Sequence, residues 1–98
     1  MITQIFAVYD KKTGVYGQPF TSNHEANASR SVQQAANDVS TSLGQYPADY
    51  ALYRIGTFDD QNGALCAVVP EHIVEVASLL FRRPEQPSEQ LSLLKVGE

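Results

Sequence analysis

Four basic side chains and a scatter of rings are the residues here best suited to engaging another molecule. Lys11 and Lys12 stand together between two strand-like runs, at a predicted hairpin tip where long cationic side chains reach a phosphate backbone. Arg30 falls on the polar side of a helical repeat, and Arg54 lies inside a strand-like run between Tyr53 and Ile55. An arginine beside rings can hold a phosphate or stack on a base, and rings accept unpaired bases at ~1–3 kcal/mol each. Phe6, Tyr9, Tyr16, Phe20, Tyr46, Tyr50, Tyr53 and Phe58 interleave with these cations. Plainer readings stand beside this one: tips are charged because they are exposed, a strand Arg can snorkel, and most rings are core. The candidate nucleic-acid-binding residues are thus Lys11, Lys12, Arg30 and Arg54 for phosphate, with Tyr16 and Tyr53 for stacking.

Catalytic signals are weak. His24 and His72 lie far apart, each near a predicted helix start, and no H-x-x-x-H or C-x-x-C spacing occurs. Metal ligation therefore has little support. Asp59 and Asp60 are adjacent acids that a turn explains. No glycine-rich phosphate loop is present. The expectation is no enzyme, no metal and no cofactor. Cys66, inside Ala64-Leu65-Cys66-Ala67-Val68-Val69, is expected to be a small buried hydrophobe.

The elements that would carry these residues follow from pattern. Residues 3–9 are β-branched and aromatic and predict a strand. Residues 10–14 predict a turn closed by Gly14, and residues 15–20 a returning strand, at a sheet edge because Pro19 cannot donate. Ser22 and Glu25 form a capping box that opens a helix. Its small apolar stripe is Ala28, Val32, Ala35, Ala36 and Val39, opposite Asn27, Arg30, Gln33, Gln34 and Asn37. Residues 40–49 read as a polar loop, 50–59 as a third strand, 59–63 as a turn and 64–69 as a fourth strand ended by Pro70. Residues 71–83 predict a second helix, with Glu71 and Glu75 early and Arg82 and Arg83 late. Tyr9-Asp10-x-x-x-Gly14 and Phe58-Asp59-x-x-x-Gly63 echo each other, giving strand-strand-helix twice. The expected fold is α+β: a four-stranded, mainly antiparallel sheet in ββαββα order, helices on one face. Residues 1–83 form one domain, and residues 84–98 a flexible tail containing Leu91-Ser92-Leu93-Leu94.

Composition bounds the partners. The 98 residues carry a net charge of −4 with 43% hydrophobic content. That suits a single packed domain, and any phosphate contact needs a local basic patch on an acidic background. One Cys allows no internal disulfide. No signal-peptide pattern and no apolar run near ~20 residues occur, so the expected location is the cytoplasm. In neither central strand is one face plainly polar, so the uncovered sheet face is a candidate contact surface.

Five blocks carry a resemblance. They are Val8-Tyr9-Asp10-Lys11-Lys12-Thr13-Gly14, Gln18-Pro19-Phe20, Ala36-Asn37-Asp38, Tyr46-Pro47-Ala48-Asp49-Tyr50 and Ile55-Gly56-Thr57-Phe58-Asp59-Asp60-Gln61-Asn62-Gly63. In this order and spacing the chain resembles the small non-structural protein of gokushovirus-type microviruses, phages with circular single-stranded DNA. The resemblance spans roughly residues 5 to 63. It implies single-stranded DNA binding during viral genome replication. A homodimer or higher homo-oligomer is expected beside it, since the half-apolar sheet face could hold a second subunit. Residues 21–27 lack the basic residues expected there, which takes the helix start out of the contact set. The rival expectation is a non-enzymatic adaptor that binds a viral or host replication protein through its sheet face or its Leu91-Ser92-Leu93-Leu94 tail. The acidic charge suits that rival.

Overall fold

The computed structural model describes residues 1–81. Strand β1, Ile2–Asp10, turns at residues 11–14 into β2, Val15–Tyr16, and β3, Phe20–Ser22. Helix α1, Glu25–Ala36, and the single-turn α2, Ser42–Gln45, follow. A 3-10 turn at Pro47–Asp49 leads into β4, Tyr50–Asp59. Strand β5, Leu65–Glu75, ends in a second 3-10 turn, Val76–Leu79. These residues build a five-stranded antiparallel sheet in the order β2-β1-β4-β5, with β3 also pairing β1.

The two Asp-x-x-x-Gly turns share one geometry. Asp10 and Asp59 each accept through Oδ1 from the backbone N–H two residues on, at 2.9 and 3.0 Å. Gly14 and Gly63 close the turns with 2.8 Å bonds to the Asp10 and Asp59 carbonyls, at φ of 76° and 73°. Glycine adopts that left-handed conformation without steric cost.

The expected ββαββα order fails at three places. The returning strand is broken into β2 and β3 by Gly17-Gln18-Pro19, because proline offers no ladder donor. Among the described residues the second helix is absent: residues 71–75 continue β5, and a 3-10 turn follows. The β-branched pair Ile73-Val74 favours the extended chain. Pro70 does not end the strand. It lies where the β4–β5 register shifts between Arg54/Glu71 and Gly56/Ala67, a bulge on an edge strand, where a missing donor is tolerated. The helix start also moves. Ser22 stays in the sheet opposite Gln4, and α1 begins at Glu25 with His24 in the capping position but no side-chain cap. The expected tail and its leucine cluster lie outside the described residues.

The core sits between α1 and one sheet face. Ala28, Val32 and Ala36 from α1 meet Phe6, Leu52 and Val76, with Val8, Phe20, Tyr50, Ile73 and Val74 around them. Val39, expected on that stripe, is 73% exposed, since α1 has ended three residues earlier. Gln33 and Asn37, expected to face solvent, donate to the Leu79 carbonyl at 3.0 and 3.2 Å, and Phe81 N–H donates to Asn37 Oδ1. They hold the final 3-10 turn against the helix. Cys66 is exposed rather than buried, because the β5 segment that carries it lies beyond the reach of the helical layer.

Candidate functional site

Strand alternation sends Phe6, Val8 and Leu52 toward α1, so Ala7, Tyr9, Ala51 and Tyr53 point to the uncovered face. Register then assembles a row of rings. Tyr9 stands opposite Tyr16 and Ala51, while Tyr53 stands opposite Ala7 and His72. Ring centroids lie 4.7 Å apart for Tyr9 and Tyr16, and 5.7 Å for Tyr9 and Tyr53. Tyr53 also meets Tyr16 at 5.7 Å and His72 at 5.4 Å, both edge to face. Such tilted and edge-on pairs are the favoured aromatic geometry.

Small residues make the row possible. Ala7 and Ala51 are 0% and 1% exposed, although no helix covers them. The neighbouring rings lie across them. Ala7-Val8-Tyr9 and Ala51-Leu52-Tyr53 are the same pattern run antiparallel, each Ala facing the other strand's Tyr. Half-buried Tyr9 and Tyr53 form the centre; Tyr16, 42% exposed, and His72 form the accessible ends.

A polar strap crosses one end of the row. Lys11 Nζ donates to Glu75 Oε1 at 2.6 Å, and Glu75 Oε2 lies 2.7 Å from His72 Nε2. The Lys11 ammonium first, and His72 second, hold the Glu75 carboxyl below the usual range for glutamate. The Lys11 backbone N–H is fixed on the Asp49 carbonyl at 2.8 Å. Further along β1, β4 and β5, away from the strap, the same face opens into an aliphatic groove of about 320 Å³ lined by Ile5, Pro19, Ile55, Gly56, Leu65, Cys66 and Ala67. Gly56 permits it: a Cβ there would come within 2.6 Å of the Cys66 carbonyl oxygen.

The structure groups only part of the candidate set. Tyr16 and Tyr53 are in contact, and Lys11 borders them through the strap. Lys12 is exposed in the adjoining turn. Arg30 is exposed on α1, on the far side of the sheet. Arg54 alternates with Tyr53 and so leaves by the opposite face, where it pairs with Glu71 at 2.9 Å. Sequence reasoning missed Tyr9, His72 and Glu75 as parts of this surface. The doubled Ala-x-Tyr pattern was the available signal for Tyr9. For His72 and Glu75 the helical reading of residues 71–83 hid their place on a strand.

Residues 3–79 match the family model described as Phage ORF5 protein. The chain belongs to this family. The match runs from β1 through the final 3-10 turn, so every ring of the row and the whole strap lie within the part shared with ORF5 proteins. No curated protein and no solved structure matches the chain. Among the described residues no helix is long and apolar enough to cross a membrane.

Proposed function

We propose that this ORF5 protein is a non-catalytic single-stranded DNA binder that serves phage genome replication in the host cytoplasm. The observation that carries this reading is the ring row Tyr16, Tyr9, Tyr53, His72 on a sheet face left open by the helices. Unpaired bases stack on such rings without sequence preference. Lys11 and Lys12 stand at one end, where a strand lying along the row would bring its phosphates. The similarity of residues 5 to 63 to gokushovirus-type microvirus proteins supports the same role. Stacking carries the binding and phosphate contacts are few, which suits an acidic chain.

The test is fluorescence anisotropy of a labelled single strand of ~30 nucleotides, at low and moderate salt, with duplex as control. The expected result is a preference for the single strand with a shallow salt slope. No binding at low salt sinks the reading.

A second reading, a protein adaptor, is favoured by one specific observation. Two of the four expected phosphate contacts, Lys11 and Arg54, are paired with Glu75 and Glu71. If DNA does not bind, the open face and its aliphatic groove become the site for a replication protein, and substitutions there, not at Lys12, should abolish capture.

A further inference from the structure

We propose that Lys11 and His72 form a site for one backbone phosphate of a nucleic-acid strand, and that the Glu75 carboxylate fills it in the free protein and is exchanged for that phosphate on binding. The inference rests on the single-strand reading above and names how that face takes the backbone. It begins with the two acids of β5, which are held differently. Glu71 meets one partner: Arg54 Nε and Nη2 both approach Glu71 Oε1, at 3.0 and 2.9 Å, on the face away from the rings. Glu75 meets two. Its Oε1 accepts from Lys11 Nζ at 2.6 Å, and its Oε2 lies 2.7 Å from His72 Nε2. Donors from the first turn and the last strand thus converge on the two oxygens of one anion.

Those donors suit phosphate as they suit carboxylate. An ionised carboxylate only accepts hydrogen bonds, so His72 Nε2 carries its hydrogen toward Glu75. The free oxygens of a phosphodiester are acceptors as well, and lysine is a common phosphate binder. One anion can replace the other with no change of tautomer.

Both donors are anchored without Glu75. Lys11 N–H donates to the Asp49 carbonyl at 2.8 Å, and Asp10 Oδ1 holds the turn through the Lys12 and Thr13 amides at 2.9 and 3.4 Å. His72 pairs with Tyr53 in the β4–β5 ladder, and its ring lies edge to face on the Tyr53 ring at 5.4 Å. The Glu75 main chain is pinned too, opposite Ala51 and through its carbonyl to Ser78 Oγ at 2.7 Å. Only the Glu75 side chain has to swing aside. It is 45% exposed, and ion pairs in water are held weakly.

Placement joins this site to the rings. Glu75 stands opposite Ala51, and Ala51 opposite Tyr9, so the anion borders the row. His72 belongs to both parts: its ring ends the row and its Nε2 faces the anion. A strand with a base stacked beside His72 carries its backbone past Lys11, and Lys12 is exposed in the same turn. Free phosphate gains only the exchange, whereas a single strand gains stacking with it. The pairing of Lys11 with Glu75 then acts as a filter on ligands rather than as an obstacle to DNA.

The test is anisotropy of a labelled single strand of ~30 nucleotides with the full chain as wild type, E75Q, E71Q, K11A and K11A/E75Q. E75Q and E71Q remove the same charge from the same exposed strand, so their difference reads position rather than net charge. Unchanged circular dichroism checks the fold. E75Q should bind about fivefold tighter than wild type, the release of one exposed ion pair, and E71Q should stay within about twofold of wild type. The E75Q gain should vanish in the K11A background, as coupling through a shared contact requires. The His72 ring signals in nuclear magnetic resonance should move with unlabelled strand and stay still with inorganic phosphate at equal phosphate concentration. Strand binding in which E75Q matches E71Q, or in which the gain survives K11A, overturns the exchange and leaves single-strand binding standing. Movement of His72 with inorganic phosphate alone assigns a free-anion site and overturns it as well. No binding by any variant overturns both readings.

Discussion

Replacing Tyr53 with Ala tests whether the rings form a packed unit or merely lie near one another. Tyr53 touches three rings, Tyr9, Tyr16 and His72. Ring pairs contribute about 0.5–1.5 kcal/mol each beyond area burial. Three of them, taken near the low end because the row is open to solvent on one side, amount to roughly 2 kcal/mol. Uncovering Ala7 adds to this, and half-burial keeps the total below the ~3–5 kcal/mol of a fully buried aromatic deletion. For a domain of this size, about 2–3 kcal/mol lowers Tm by roughly 10–20 °C. Tyr16 touches two rings and is 42% exposed, so Tyr16→Ala should cost only about 1 kcal/mol. The assay is paired: differential scanning calorimetry for stability and anisotropy for DNA. Tyr53→Ala should be the worse variant in the calorimeter. Tyr16→Ala, still folded, should lose affinity by roughly tenfold, the equivalent of ~1.4 kcal/mol for one stacked base. Equal Tm values for the two variants would refute the argument that Tyr53 holds the row together.

Two glycines should resist substitution because a methyl group would meet backbone. A Cβ at Gly44 falls 2.0 Å from the Asp38 carbonyl oxygen, and one at Gly56 falls 2.6 Å from that of Cys66. Gly44→Ala and Gly56→Ala should each lower stability by about 1–3 kcal/mol in urea titrations, and Gly56→Ala should also speed amide exchange in β5. Glu75 gives a pH dependence. Its folded pKa lies below the ordinary 4.5, so its stabilisation is present above that value and disappears as pH falls through the lower, folded value. The strap is exposed, so the urea midpoint should register under ~1 kcal/mol, and Glu75→Gln should abolish that part of the acid response. Lys12→Ala should reduce the salt slope of single-strand binding by about 0.7, one phosphate contact. An unchanged slope removes Lys12 from the contact set.

Local chemistry was legible in the chain and long-range placement was not. Asp10 with Gly14 and Asp59 with Gly63 announce their turns because an aspartate side chain and a positive-φ glycine settle a turn within five residues. The α1 stripe was legible through Ala36, where the periodicity is real, and misread at Val39, where polar residues had already ended the helix. The second helix was misread because acids early and arginines late suit a helix, while edge position, which lets Ile73-Val74 and even Pro70 remain extended, depends on the whole sheet. The same reason divided the site. Tyr16 and Tyr53 can be chosen as rings from sequence, but their meeting with Tyr9 and His72 is created by register. The pairing of Lys11 with Glu75, across 64 positions, is likewise invisible until the sheet is assembled.

The strand order has a consequence for how the chain reaches this state. β4 and β5 are joined by a short turn and can pair as soon as both exist. β1 must instead pair with β4 across the whole helical segment, a closure of about forty residues whose entropy is met before any contact rewards it. Synthesised from the N-terminus at ~5–20 residues per second, β1 waits several seconds for its partner strand. During that interval Phe6 lacks Leu52 and Ala7 lacks Tyr53. The β4–β5 hairpin is therefore the expected template for the first half of the protein: substitutions in it should slow folding, while those in β3 or α1 should mainly hasten unfolding.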